Sequence, residues 1–99
     1  MKLTKEDIIK FLSENKTLLR DRFDVTDIAL FGSFARGDQI KDSDIDLLVE
    51  MDEPTFSKIA GLRIYLEEKF GRAVSVIRRH SRLKPRFLKI ISQDLIRVT

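Results

Sequence analysis

The first twenty residues carry the apolar spacing of an amphipathic helix. The spacing is close to the 3.6-residue period of an α-helix and predicts a helix that extends to about residue 20. Thr4 suits the N-cap position, while Glu6 and Asp7 put negative charge in the first turn, where the helix dipole favours it. The apolar positions of this stripe are Ile8, Phe11, Leu12, Leu18 and Leu19.

Two runs of β-forming residues follow, with a turn and a polar loop between them. Residues 25–31 include a continuous apolar run at 28–31, which predicts a buried strand ending at Gly32. Residues 33–36 are predicted to form a helical turn that stops at Gly37, and residues 38–43 a polar loop. The apolar residues at 45 and 47–49 predict the second strand.

The second half of the chain also alternates between predicted helices and predicted strands. Pro54 fits a turn, Thr55 can cap a helix, and Gly71 suits its C-terminal end. Residues 73–77 predict a third strand, Pro85 the first turn of a last helix, and residues 95–98 an edge strand. This order predicts an α/β fold in which helices pack on a small sheet. The apolar positions of these two helices are Phe56, Ile59, Ala60, Leu62, Ile64, Tyr65, Leu66, Phe70, Phe87, Leu88, Ile90 and Ile91.

Length and composition narrow the class of protein. The 99 residues are enough for one domain, which we expect to span residues 1–99. No apolar run approaches the roughly 20 residues that cross a bilayer, and no apolar segment stands near the start. The chain has no cysteine, which excludes disulfides and thiolate metal sites. We therefore expect a cytoplasmic protein without a membrane segment.

Charge is unevenly distributed. Residues 1–68 carry 10 Lys/Arg and 15 Asp/Glu, a net charge of −5. Residues 69–99 carry nine Lys/Arg and one acid, a net charge of +8. A basic end can be a solvated surface, or it can attract phosphates, nucleic acid or an acidic partner. Only Phe70 and Phe87 interleave with these cations, so a stacking platform for single-stranded nucleic acid is nearly absent.

The candidate chemistry lies between residues 32 and 46. Asp44 and Asp46 are two residues apart and share one face of the predicted strand, as solvent-facing acids or as a cation site. The bend at Gly32 and Ser33 is either an ordinary tight turn or a phosphate cradle, because glycine permits close approach and the hydroxyl can donate. Together the two features describe a polyphosphate facing a divalent cation, and carboxylate oxygens suit Mg²⁺.

The same segment resembles the signature of the minimal nucleotidyltransferase (MNT) family, part of the DNA-polymerase-β-like superfamily. The match consists of Gly32-Ser33, ten intervening residues, and Asp44-Ile45-Asp46, with matching residues around both parts: Phe31, Ala35-Arg36-Gly37 and Ser43. The resemblance implies a nucleotidyltransferase fold with a small mixed sheet. It implies Mg²⁺ at Asp44 and Asp46, and the triphosphate of ATP or another NTP at Gly32 and Ser33. Arg36 either reaches a phosphate or is solvated.

The resemblance also implies a partner. Many such proteins resemble the antitoxin half of a toxin–antitoxin pair, in which the antitoxin adenylylates a tyrosine of an all-helical HEPN-type toxin. We therefore expect a hetero-oligomer.

The chain departs from the family pattern at one position. Relatives carry a third carboxylate on the strand after a Gly-Arg or Gly-Lys turn, and the residue matching it after Gly71-Arg72 is Ser75. Asp94 is the sole acid after Glu68, and nothing in the sequence brings it to the site. Three hypotheses stay open: a Mg²⁺-dependent adenylyltransferase, a non-catalytic antitoxin that binds its partner directly, and, ranked last, a nucleic-acid-binding module.

Overall fold

The computed structural model describes residues 2–98. It consists of five helices and four strands. The strand order is β3-β2-β1-β4; β1 runs antiparallel to β2 and β4, while β2 and β3 are parallel. This sheet, with helices packed on it, confirms the predicted α/β fold with a small mixed sheet. In chain order the elements are α1 (Lys5–Glu14), α2 (Lys16–Phe23), β1 (Val25–Phe31), α3 (Ser33–Arg36), β2 (Ile45–Met51), α4 (Phe56–Phe70), β3 (Val74–Arg78), α5 (Pro85–Ser92) and β4 (Ile96–Arg97).

The predicted helix ends are those observed, apart from a break in the first helix. Thr4 accepts a hydrogen bond from the backbone of Asp7, and Thr55 accepts one from Lys58. The single helix predicted to reach about residue 20 is wrong, because the chain divides at Asn15 into α1 and α2. The backbone N–H of Asn15 makes the last i→i−4 hydrogen bond of α1, to the carbonyl of Phe11, and its side-chain amide donates to the same carbonyl, a local contact that competes with continuation of the helix.

The two faces of the sheet carry different parts of the core. One face packs against α1, α2 and α4 and holds most of the buried side chains. The other face packs against α5 through a smaller cluster formed by Phe31, Leu48 and Ile91. Asp46 lies on this second face, because it is two residues from Leu48 along β2. The site therefore lies on the thinly covered side of the sheet.

Three apolar residues of α4 and α5 are exposed rather than buried in the core. Phe56 is 88% exposed, Ile64 57% and Ile90 58%. Each helix packs on one side only, so an apolar residue outside that arc faces solvent. The third strand is also displaced by one residue from the predicted 73–77, because Ala73 precedes β3 and its carbonyl accepts from the backbone of Ile45. No helix within residues 2–98 is long and apolar enough to cross a membrane.

Candidate functional site

Gly32 joins β1 to the short helix α3 in a conformation open mainly to glycine. Its φ is +79° and its ψ is −156°. A Cβ at this position would overlap the Oδ2 atom of Asp46 and lie 3.1 Å from its Cγ. The Asp46 carboxylate therefore packs directly against the Gly32 backbone. The two halves of the sequence motif, separated by ten residues, meet at this contact.

The sheet register fixes what surrounds Asp46. Phe31 of β1 pairs with it on one side, and Ser75 of β3 pairs with it on the other. Neighbouring strands lie about 4.8 Å apart, so Ser75 occupies the adjacent position across the sheet. Ser75, which the family resemblance matches with the third carboxylate, thus stands beside Asp46 and carries a hydroxyl.

Asp44 and Asp46 interact electrostatically. Partial burial of Asp46 raises the pKa of its carboxyl, the negative charge of Asp44 raises it further, and the positive charge of Arg36 lowers it. Asp44 is exposed and precedes β2 by one residue. A bound cation would relieve the repulsion that the charge of Asp44 exerts on the Asp46 carboxylate.

Arg36 ends α3 and is held by two carboxylates. Its Nε donates to Asp38 and its Nη1 to Asp94, both at 3.0 Å. These hydrogen bonds raise the pKa of Arg36, Asp38 contributing most, so the guanidinium stays charged. The sequence offered no link between Asp94 and the site, but the structure places the Asp94 carboxylate at the edge of the site, in contact with Arg36. Helix α5 reverses the chain, and β4 starts beside the end of β1, which carries Asp94 back to Gly32 and Ser33.

The loop that carries Asp44 is anchored by a residue that sequence reasoning did not single out. Arg72 Nη1 donates to the carbonyls of Lys41 at 2.9 Å and Ser43 at 2.7 Å. Within the loop, the backbone N–H of Ser43 donates to the carbonyl of Ile40, and the Ser43 hydroxyl accepts a hydrogen bond from the backbone N–H of Ile40. No sequence signal links Arg72 with this loop, since the two are about thirty residues apart.

The donor set suits a hard divalent cation only if a ligand supplies further oxygens. Within the described chain, no three His, Cys, Asp or Glu side chains are close enough to hold a metal by themselves. Asp44 and Asp46 offer two carboxylates, and Mg²⁺ in proteins is commonly held by one or two carboxylates together with substrate phosphates. The residues present therefore fit Mg²⁺ bound jointly with a polyphosphate.

The single histidine and the single tyrosine of the chain lie away from this site. His80 accepts a hydrogen bond at Nδ1 from the backbone of Arg82, in the segment that follows β3. Tyr65 packs its ring against Phe23 in the main core. Neither side chain takes part in the contacts around Gly32 and Asp46.

Comparison with known proteins gives a consistent family. The model of the nucleotidyltransferase domain family matches residues 8–98. A candidate protein adenylyltransferase of Methanocaldococcus jannaschii is 44% identical over 96% of this chain and 98% of its own. The protein adenylyltransferase MntA of Thermococcus cleftensis is 38% identical over 97% of both chains.

Two solved structures share the fold of this chain. A candidate minimal nucleotidyltransferase superposes with a TM-score of 0.76 at 30% identity and covers 95% of each chain. A chain from the complex of a tri-AMPylated Shewanella oneidensis HEPN toxin with its MNT antitoxin shares the fold at a TM-score of 0.65 and 17% identity, over 92% of this chain and 71% of that one. The chain is a nucleotidyltransferase and belongs to the minimal nucleotidyltransferase family.

Proposed function

We propose that the protein is a Mg²⁺-dependent adenylyltransferase that moves AMP from ATP to a tyrosine hydroxyl of a HEPN-type toxin and so acts as its antitoxin. One observation carries the proposal: the Asp46 carboxylate lies against the Gly32 backbone, with the charge of Asp44 beside it. The names of the two relatives, at 44% and 38% identity, support adenylyl transfer to a protein. The complex that we propose is a cytoplasmic hetero-oligomer.

In this proposal each residue of the motif has a distinct task. Asp44 and Asp46 would hold Mg²⁺, which when bound would neutralise charge on the triphosphate and polarise the phosphorus that is attacked. Gly32 lets the backbone approach the phosphates, and the Ser33 hydroxyl donates to a phosphate oxygen. Arg36 adds positive charge at the edge of the site while Asp38 and Asp94 hold it.

The transfer exchanges one oxygen–phosphorus bond for another. The acceptor hydroxyl oxygen forms a bond to the α-phosphorus, the bond from that phosphorus to the bridging oxygen breaks, and pyrophosphate leaves. The hydroxyl proton passes to water, since Ser75 offers no carboxylate at the neighbouring strand position. Positioning and charge neutralisation therefore provide most of the rate acceleration in this proposal.

Ser75 also favours a second candidate function. A chain without the third carboxylate can bind nucleotide with little turnover and neutralise its partner by direct contact. The identity of residue 75 supports this alternative, because a serine hydroxyl carries no charge for a second cation.

Transfer of label separates the two functions. The protein is incubated with α-labelled ATP, Mg²⁺ and the product of the neighbouring gene, using wild type, Asp44→Ala and Asp42→Ala. Asp42 is a matched control, an exposed acid two positions earlier in the same loop. We expect label on the partner with wild type and Asp42→Ala and its loss with Asp44→Ala. Neutralisation without label, unchanged by Asp44→Ala, would establish direct binding instead.

A further inference from the structure

Arg72 contacts both halves of the candidate site. It lies between the C-terminal end of α4 at Gly71 and the start of β3. One terminal nitrogen, Nη1, donates its two protons to the carbonyls of Lys41 and Ser43, at 2.9 and 2.7 Å. Ser43 is the residue immediately before Asp44, so Arg72 fixes the backbone from which that carboxylate projects.

The same guanidinium also lies over an aromatic ring beside the Gly32–Ser33 bend. Arg72 Cζ is 5.1 Å from the ring centroid of Phe34, within the range of a cation–π contact. Phe34 is completely buried and directly follows Ser33. A buried ring cannot move aside, so it is a rigid support for the guanidinium and links it to the turn that begins at Gly32.

No carboxylate pairs with Arg72 in the part of the chain that the structure describes, where the ion-paired cations are Arg36, Lys58 and Arg97. Its hydrogen bonds to Lys41 and Ser43 therefore go to backbone carbonyls. A lysine could keep the charge but not the planar guanidinium, which lies over Phe34 while one of its nitrogens donates to two carbonyls. In this chain the guanidinium of Arg72 thus makes both kinds of contact at once.

We propose that Arg72 is a positioning residue that holds the Asp44 loop in register with the Gly32–Ser33 turn, so that the two carboxylates and the phosphate-binding bend face each other before ligands arrive. This inference rests on the proposed function for its consequence in catalysis. Its structural part, the immobilised loop, stands on the contacts of Arg72 alone.

Two readouts test the proposal on Arg72→Met and Arg72→Lys. The first is amide hydrogen exchange at Ser43 and Ile45 in protein without nucleotide or metal. The second is the Mg²⁺ concentration that gives half-maximal transfer to the HEPN partner. Arg63→Met is the matched control, because Arg63 is an exposed arginine on α4. Asp44→Ala is measured alongside.

We expect exchange at both amides to accelerate at least about tenfold in Arg72→Met. Opening of the loop then costs less free energy, because it no longer has to break the two Arg72 hydrogen bonds. The half-maximal Mg²⁺ concentration rises in both Arg72 variants, and turnover at fixed Mg²⁺ falls between about tenfold and hundredfold, since misplacement of about 1 Å costs that much. Arg63→Met matches wild type. High Mg²⁺ restores part of the lost rate.

Either of two results would overturn the proposal. One is wild-type exchange and wild-type Mg²⁺ dependence in Arg72→Lys, the variant to use if Arg72→Met does not fold. The other is reduced activity at an unchanged half-maximal Mg²⁺ concentration and unchanged exchange, which indicates loss of active protein. If Asp44→Ala keeps full activity, the proposed function fails, and the exchange data still decide whether Arg72 holds the loop.

Discussion

Replacing Gly32 by alanine tests the central contact of the site. The φ of +79° and ψ of −156° lie in a region that is essentially restricted to glycine, where another residue costs about 1–3 kcal/mol. The new Cβ would also overlap Asp46 Oδ2 and approach its Cγ to 3.1 Å. Forcing an extra methyl into a packed position adds about 1–3 kcal/mol. We therefore expect Gly32→Ala to lose about 2–6 kcal/mol of unfolding free energy.

Gly37 provides a control that separates the two costs. Its φ is +78°, nearly that of Gly32, but no atom lies within 4 Å of the position that a Cβ would occupy. Gly37→Ala should therefore lose only the backbone part, about 1–2 kcal/mol for a left-handed residue. The difference between the two variants therefore combines the clash with Asp46 and the amount by which the backbone cost at Gly32 exceeds that at Gly37.

Thermal denaturation and transfer activity are the assays for this pair. One kcal/mol corresponds to about 4–8 °C in a domain of this size, so Gly32→Ala should melt at least about 4 °C below Gly37→Ala. It should also lose about a hundredfold in transfer activity, because the displaced carboxylate no longer faces the bend. Equal melting temperatures and equal activities would refute the reasoning, since Asp46 would then not pack on Gly32.

Three further predictions concern the charges of the site. The raised pKa of Asp46 means that its charged form is penalised in the folded protein, so metal-free Asp46→Asn should melt above wild type at pH 7; linkage requires the gap to narrow as pH falls through the raised pKa of folded Asp46 and to have closed below the ordinary value of about 3.9, and a gap independent of pH would contradict this. Ser75→Asp should lower the metal-free melting temperature at pH 7, increase the stabilisation by Mg²⁺ and raise turnover; a smaller Mg²⁺ effect than in wild type would show that the third carboxylate is not in the site. Asp94→Asn should leave the melting temperature nearly unchanged, because the pair with Arg36 is partly exposed, yet tighten binding of a non-hydrolysable ATP analogue measured by calorimetry; unchanged or weaker binding would exclude Arg36 as a phosphate ligand.

Local features of the fold were predictable from the sequence because short-range chemistry determines them. Thr4 and Thr55 cap helices, Gly37 and Gly71 end them with left-handed backbone, and the apolar run of β1 forms a buried strand. The break at Asn15 was not predictable in this way, because the apolar stripe continues on both sides of it. The side-chain amide of Asn15 donates to the carbonyl of Phe11, a local contact that competes with the helix and that the periodicity does not encode.

The same distinction between local and long-range determinants applies to the candidate site. The contact between Gly32 and Asp46 joins two halves of one compact motif, which spacing and resemblance predict together. Asp94 and Arg72 reach the site from distant parts of the chain, Asp94 because α5 reverses direction and Arg72 because β3 runs parallel to β2. Such long-range neighbours follow from tertiary packing, and no local pattern in one sequence specifies them.

The most direct test of the account is a crystal structure of the protein with Mg²⁺ and a non-hydrolysable ATP analogue. We predict one cation bound by a carboxylate oxygen from each of Asp44 and Asp46 and by phosphate oxygens, with the triphosphate against the Gly32 backbone and the Ser33 hydroxyl. A nucleotide bound elsewhere on the protein, or one bound at this bend while both carboxylates point away from its phosphates, would contradict the account.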